Sequence, residues 1–105
     1  MVKFGLTMKV IFADDKLALI RTEQAHETRL PISVIQSCRN KLVLLENAPD
    51  ERTLRNWRSL HYEKLRGNRD GQRSIRLNDQ WRLIFELDEI ETPPIIKILS
   101  IEDYH

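Results

Sequence analysis

The chain lacks most of the features that announce a particular chemistry. It has one cysteine, Cys38, so no internal disulfide can brace it, which predicts a protein of the reducing cytoplasm. No apolar run approaches the roughly 20 residues that span a bilayer, so no membrane association is expected. The stretch Met1 to Thr7 is too short and too weakly apolar to read as a secretory signal. Gly67 and Gly71 flank a turn but lack the Lys-Ser/Thr pair that follows a phosphate-cradling loop. His26, His61 and His105 are far apart, and Cys38 has no partner at ligand spacing, so neither a metal site nor a cofactor is expected. What remains is 105 residues, 31% charged and 41% apolar, which is the composition of one globular domain spanning 1–105. Residues 1–7 read as an extension outside its core.

The net charge of +1 conceals an asymmetry. Between Arg52 and Arg82 lie nine basic residues (52, 55, 58, 64, 66, 69, 73, 76 and 82) and three acidic ones (63, 70 and 79), a local excess of +6. The rest of the chain has eight basic and thirteen acidic residues, or −5. Such a block suggests a local anion-binding surface. Only Lys64 among the nine is lysine, and arginine forks pair bidentately with phosphate, which solubility alone does not require.

The periodicity predicts helices first and strands afterwards. Met8 to Phe12 reads as a strand. Asp14 caps a helix over about 15–25, with Leu17 and Ile20 on one face. Pro31 opens a second helix over about 31–47, whose stripe is Ile35, Cys38, Leu42 and Leu45. Cys38 on that stripe is a core residue, not a nucleophile. One further helical turn follows near residues 53–57. Tyr62 to Leu65 then forms a short strand, residues 72–78 and 81–88 a hairpin, and residues 95–101 a final strand. This order gives an α+β fold, with two to three helices on one face of a twisted antiparallel sheet of four to five strands.

The hairpin register follows from side-chain alternation. A two-residue loop would mix apolar and charged residues on both faces. A three-residue loop, Asn78-Asp79-Gln80, pairs Leu77 with Trp81, Arg76 with Arg82 and Ile75 with Leu83, and sorts the apolar residues to one side. Arg76 then stands directly opposite Arg82, with Cβ atoms roughly 5 Å apart. Opposed like charges destabilise a sheet unless an anion sits over them or both side chains splay into water.

Metal-free RNA cleavage fits these residues. It needs a base for the 2′-OH, an acid for the leaving 5′-oxygen, and cations around the pentavalent phosphate. His105 is the natural proton-transfer group, because imidazole titrates near neutrality. Arg76 and Arg82 form a phosphate clamp that Arg66, Arg73, Lys64 and Arg69 extend along the backbone. Tyr104 stacks on a base or donates to phosphate. Strand alternation points Tyr104 and His105 to opposite faces, so one must bend for both to serve. Glu63 reads either as a base or as a solvated strand residue.

The stretch Leu65-Arg66-Gly67-Asn68-Arg69-Asp70-Gly71-Gln72-Arg73-Ser74-Ile75-Arg76-Leu77-Asn78-Asp79-Gln80-Trp81-Arg82-Leu83-Ile84-Phe85, together with the ending Glu102-Asp103-Tyr104-His105, resembles the HigB-type toxins of the RelE/ParE superfamily. The resemblance covers about 62–105; the N-terminal half is similar only in element order. It implies a RelE-like fold and a ribosome-dependent mRNA endonuclease acting at the 30S A site. It also implies neutralisation by a HigA-type helix-turn-helix antitoxin, with operator DNA bound only through the antitoxin complex. The family's basic residue before the first Gly falls on Arg66, the Arg after the hairpin Trp on Arg82, and the terminal pair on Tyr104 and His105. A His carried by some members falls on Glu63, with His61 two residues back, which leaves a second proton-transfer group open. Two other readings stay open: a non-catalytic RNA- or ribosome-binding inhibitor, and a gyrase-directed toxin of the ParE type.

Overall fold

Five strands form one sheet in the order β1-β5-β4-β3-β2, seen in a computed structural model that describes residues 7–103. The strands are β1 (Lys9–Phe12), β2 (Glu63–Lys64), β3 (Gln72–Arg76), β4 (Trp81–Asp88) and β5 (Ile95–Asp103). The helices are α1 (Asp15–Ala18), α2 (Ile32–Asn47) and α3 (Glu51–Asn56), and short 3-10 turns link them. α2 buries Val34, Ile35, Cys38, Leu42 and Leu45 on one stripe, as its spacing requires. These side chains share one core with Ile75, Leu77, Leu83, Phe85, Ile96 and Ile98 of the sheet and with Met8. The helices therefore cover one face of the sheet. The Ser37 hydroxyl, donating to the Leu77 carbonyl at 2.6 Å, ties α2 to the hairpin.

The helix expected over 15–25 is shorter. Asp14 caps it, accepting from the Lys16 N–H at 2.8 Å, but the α-helix stops at Ala18 and a 3-10 turn, Leu19–Arg21, follows. Thr22 ends that turn. Its hydroxyl donates back to the Leu19 carbonyl at 2.8 Å, sharing it with the Thr22 N–H, and accepts from the Gln24 N–H at 3.0 Å, so a side chain competes for the backbone's partners.

The sheet is antiparallel from β2 through β5, but β1 runs parallel to β5. That departs from the all-antiparallel expectation. β1 and β5 are separated by nearly the whole chain, which supplies the long crossover a parallel pair needs.

The hairpin register is as the alternation requires. Ile75 pairs with Leu83 and Arg76 with Arg82. Asn78 fixes the three-residue loop, its side-chain carbonyl accepting from the N–H groups of Gln80 (2.9 Å) and Trp81 (2.8 Å). A bulge interrupts β4–β5. Phe85 pairs with Ile98 and Ile84 with Ser100, so Leu99 is an extra residue. It rephases β5: Ile101 packs against the core, while Glu102 comes to stand directly opposite Arg82 on the face the helices leave uncovered.

Candidate active site

The uncovered face carries a charged row, Arg76, Arg82 and Glu102, on three adjacent strands. Beneath it lie Ser74 and Ile84, both fully buried. His61, Arg76, Asn78, Asp79 and Arg82 line an open cleft of about 290 Å³ above this row. A second depression, about 260 Å³, lies between Asp14, Lys16, Leu17 and β5 and contains no arginine. The first therefore suits a phosphate better.

The opposed arginines are held apart by different partners. Arg82 is pinned: its Nε donates to Ser74 Oγ at 2.9 Å, its Nη2 donates to the His61 carbonyl at 2.5 Å, and Glu63 Oε1 lies 3.8 Å away. Its side chain is only 13% exposed, so the guanidinium is a rigid part of the cleft wall. Arg76 is more open. Its Nε donates to the Asn78 carbonyl at 3.2 Å, and its fork meets the carboxylate of Asp79, which is itself almost wholly exposed. The sheet thus tolerates the like-charge pair by giving each arginine its own oxygen acceptors. Asp79 is the weaker restraint, because a solvated carboxylate is readily displaced by a more highly charged anion.

His61 enters the cleft through a special backbone conformation. It closes the 3-10 turn Arg58–Leu60 in the left-handed region, φ 47°, ψ 50°, a region in which histidine is among the more tolerated non-glycine residues. Its Nε2 is 3.3 Å from Arg76 Nη1. Arginine can only donate, so Nε2 accepts and the neutral ring carries its proton on Nδ1. This imidazole sits closer to the arginine pair than its sequence position suggests. The available signal was the basic block around it, in which His61 is the only imidazole.

Several expected members of the site lie elsewhere. Arg73 pairs with Phe85 across the sheet and faces the helices. Its Nε donates to Glu51 Oε2 at 3.1 Å and to Tyr62 Oη at 3.0 Å, and its side chain is only 13% exposed. Arg73 and Arg76 are an odd number of residues apart, so a strand sends them to opposite faces; Arg73 is not part of the clamp. Lys64 is opposite Arg73 and shares its face, with Nζ 3.9 Å from Glu51. Arg69 is on the correct side but is committed to a bidentate pair with Glu102, at 2.9 and 2.6 Å. Arg66 is exposed ahead of the 3-10 turn Gly67–Arg69. Tyr104 and His105 lie outside the described residues.

Two carboxylates are tuned by these partners. Burial works against the charged form of Glu51, but hydrogen bonds from Tyr62 and Arg73 outweigh it and hold the carboxyl below its ordinary range. Tyr62 is pushed up by burial and by its hydrogen bond to Glu51. The Arg69 fork holds Glu102 below the usual range, and the Ser100 hydroxyl adds to the effect.

The chain has relatives in sequence and in fold. Residues 10–98 match the family model for the RelE-like toxin HigB of type II toxin–antitoxin systems. Toxin HigB-1 of Vibrio cholerae serotype O1 is 34% identical over 79 residues, covering 75% of this chain and 83% of that protein. The fold is similar to a mutant form of YafQ from E. coli, with a TM-score of 0.62, 14% identity, and coverage of 92% and 93% of the two chains. It is also similar to the YoeB–YefM complex of Staphylococcus aureus, with a TM-score of 0.53, 20% identity, and coverage of 93% and 97%. The chain belongs to the HigB family of RelE-like toxins of type II toxin–antitoxin systems.

Proposed function

We propose that this toxin is an endoribonuclease that cuts mRNA at the ribosomal A site without a metal, and that a HigA-type helix-turn-helix antitoxin restrains it in the cytoplasm. The observation that carries the reading is the opposed pair Arg76 and Arg82 at the wall of an open cleft, with His61 bonded to one of them. Guanidiniums in that arrangement suit a phosphate carrying extra charge in its transition state. Membership of a toxin–antitoxin family supports an antitoxin partner; the YoeB–YefM complex supports the same for a related fold. No helix among the described residues is long and apolar enough to cross a membrane.

In the mechanism, the 2′-oxygen attacks the adjacent phosphorus as its proton passes to a base. The P–O5′ bond breaks as an acid protonates the leaving oxygen. The products are a 2′,3′-cyclic phosphate and a 5′-hydroxyl. Arg82, fixed by Ser74 and the His61 carbonyl, holds the phosphate without reorganising. Arg76 exchanges Asp79 for a phosphate oxygen. His105 and His61 are the imidazoles available for the two proton transfers, and Tyr104 orients the base. Arg66, which is exposed, supplies a cation for a phosphate further along the message in this reading.

End mapping of a reporter message in a purified translation system tests this. We expect cuts only with ribosomes present, in register with codons, bearing cyclic phosphate ends. Inhibited translation with intact message would instead establish a binding inhibitor, and DNA damage signalling without message cuts would point to gyrase.

A further inference from the structure

Besides Arg73, three arginines at the start of the basic block lie outside the cleft: Arg52, Arg55 and Arg58. All three are exposed, as are Asn56 and Trp57, while Leu54 between them is buried. Arg52 and Arg55 are three apart on α3 and share a side of that helix. The nearby acids bond to other groups, although the Asp50 carboxylate still feels the charges of Arg52 and Arg55. Asp50 accepts from the Thr53 N–H and hydroxyl, both at 2.9 Å. Glu51 turns inward to Tyr62 and Arg73. Among the described residues, none of the three arginines forms an ion pair.

Trp57 ends the helix in an extended conformation and stays 36% exposed, whereas Trp81 packs against the core. It lines an open depression of about 300 Å³ with Thr53 and Asn56. The 3-10 turn Arg58–Leu60 follows at once and leads to His61, whose N–H donates to the Arg58 carbonyl at 3.0 Å. At ~2 Å of rise per residue, the turn spans only about 6 Å of backbone between this strip and the cleft.

We propose that Arg52, Arg55, Trp57 and Arg58 extend the cleft into a track for single-stranded RNA, the indole stacking on one base and the guanidiniums holding the flanking phosphates. This rests on the ribonuclease reading and names where the RNA continues beyond the scissile phosphate. Charge alone would also suit an acidic peptide. An exposed indole beside an amide side chain suits a nucleobase better, since it offers a flat face and an edge to bond.

The test is a fluorescence titration of the whole chain with 2′-O-methyl oligoadenylate, which has no 2′-OH to attack with. We expect quenching in the wild type and none in Trp57→Phe, where only Trp81 reports. Read by the anisotropy of a fluorescein-labelled oligomer, Trp57→Ala should weaken binding by about 10-fold, the lower part of the range for a stacked base. Arg55→Ala with Arg58→Ala should lower the slope of log K against log salt by about 1.4, from two phosphate contacts at ~0.7 each. The same pair should raise KM for ribosome-bound message with kcat unchanged. Quenching that persists in Trp57→Phe would overturn the track, as would a double variant that binds like the wild type. Poly-glutamate binding more tightly than oligoadenylate at the same arginines would replace RNA with a protein partner. Normal message cleavage and KM in all these variants would sink the track and leave the ribonuclease reading standing. Quenching at Trp57 with no message cleavage by any form would do the reverse.

Discussion

Arg76 and Arg82 face each other across the hairpin, yet they are not equivalent. Arg82 is locked by a hydroxyl, a backbone carbonyl and a nearby carboxylate, and Arg76 is held by an exposed one. Lysine has no fork to bridge three acceptors, so Arg82→Lys should lose at least 10-fold in cleavage per folded molecule on ribosome complexes, and thermal melting of the free protein should show a lower melting temperature, because Ser74 and the His61 carbonyl lose their donor. Other residues bear on stability. Glu51 and Glu102 both have folded pKa values below the ordinary 4.5. Their contribution is therefore complete above about that pH and is lost as pH falls through the folded values. Urea midpoints measured from pH 6 to pH 3 should drop, and the Glu51→Gln variant should show a shallower drop. Cys38, fully buried on α2, has its thiol pushed up to about 12 by burial. A thiol reagent at neutral pH should label it only after denaturant unfolds the chain; fast labelling of the native protein would contradict the packing.

The hairpin was legible among the elements because Ile75, Leu77, Trp81 and Leu83 sort to one face in only one register. The same alternation rule, applied to Arg73 and Arg76, separates them, and it explains why the arginines do not form one row. β5 was harder. Its apolar residues Ile96, Ile98 and Ile101 break the period of two, and that spacing is the trace of the bulge at Leu99. Without the bulge, Glu102 would turn to the core and its bidentate pair with Arg69 on the open face would be lost. The helix near Thr22 was not legible, because it depends on one hydroxyl capturing a carbonyl. In the loop, Asn78 does comparable work for two N–H groups. Asn78→Ala should cost about 1–2 kcal/mol in chemical denaturation and lower cleavage as well, because the Arg76–Arg82 register loosens. A purely structural loop would cost stability and leave the rate per folded molecule intact.

Across the whole molecule, helices on one face of a single sheet leave the other face free for charge. The helix-then-strand order carried that arrangement, and the basic block marked where the charge would gather. The parallel pairing of β1 with β5 was hidden because it joins residues at opposite ends of the chain. So were the partners of Arg69 and the approach of His61, which depend on loops and on one left-handed residue. RNA cleavage in the cleft of Arg76, Arg82 and His61 is the proposal on which the rest depends. Its most direct test is the single-turnover rate of message cleavage on programmed ribosomes, for the wild type and for Arg82→Ala, with ribosome binding measured in parallel. We expect a fall of about 100-fold or more with binding nearly retained, on the scale of losing one oriented charge-stabilising donor. An unchanged rate in a folded, bound Arg82→Ala protein would contradict it.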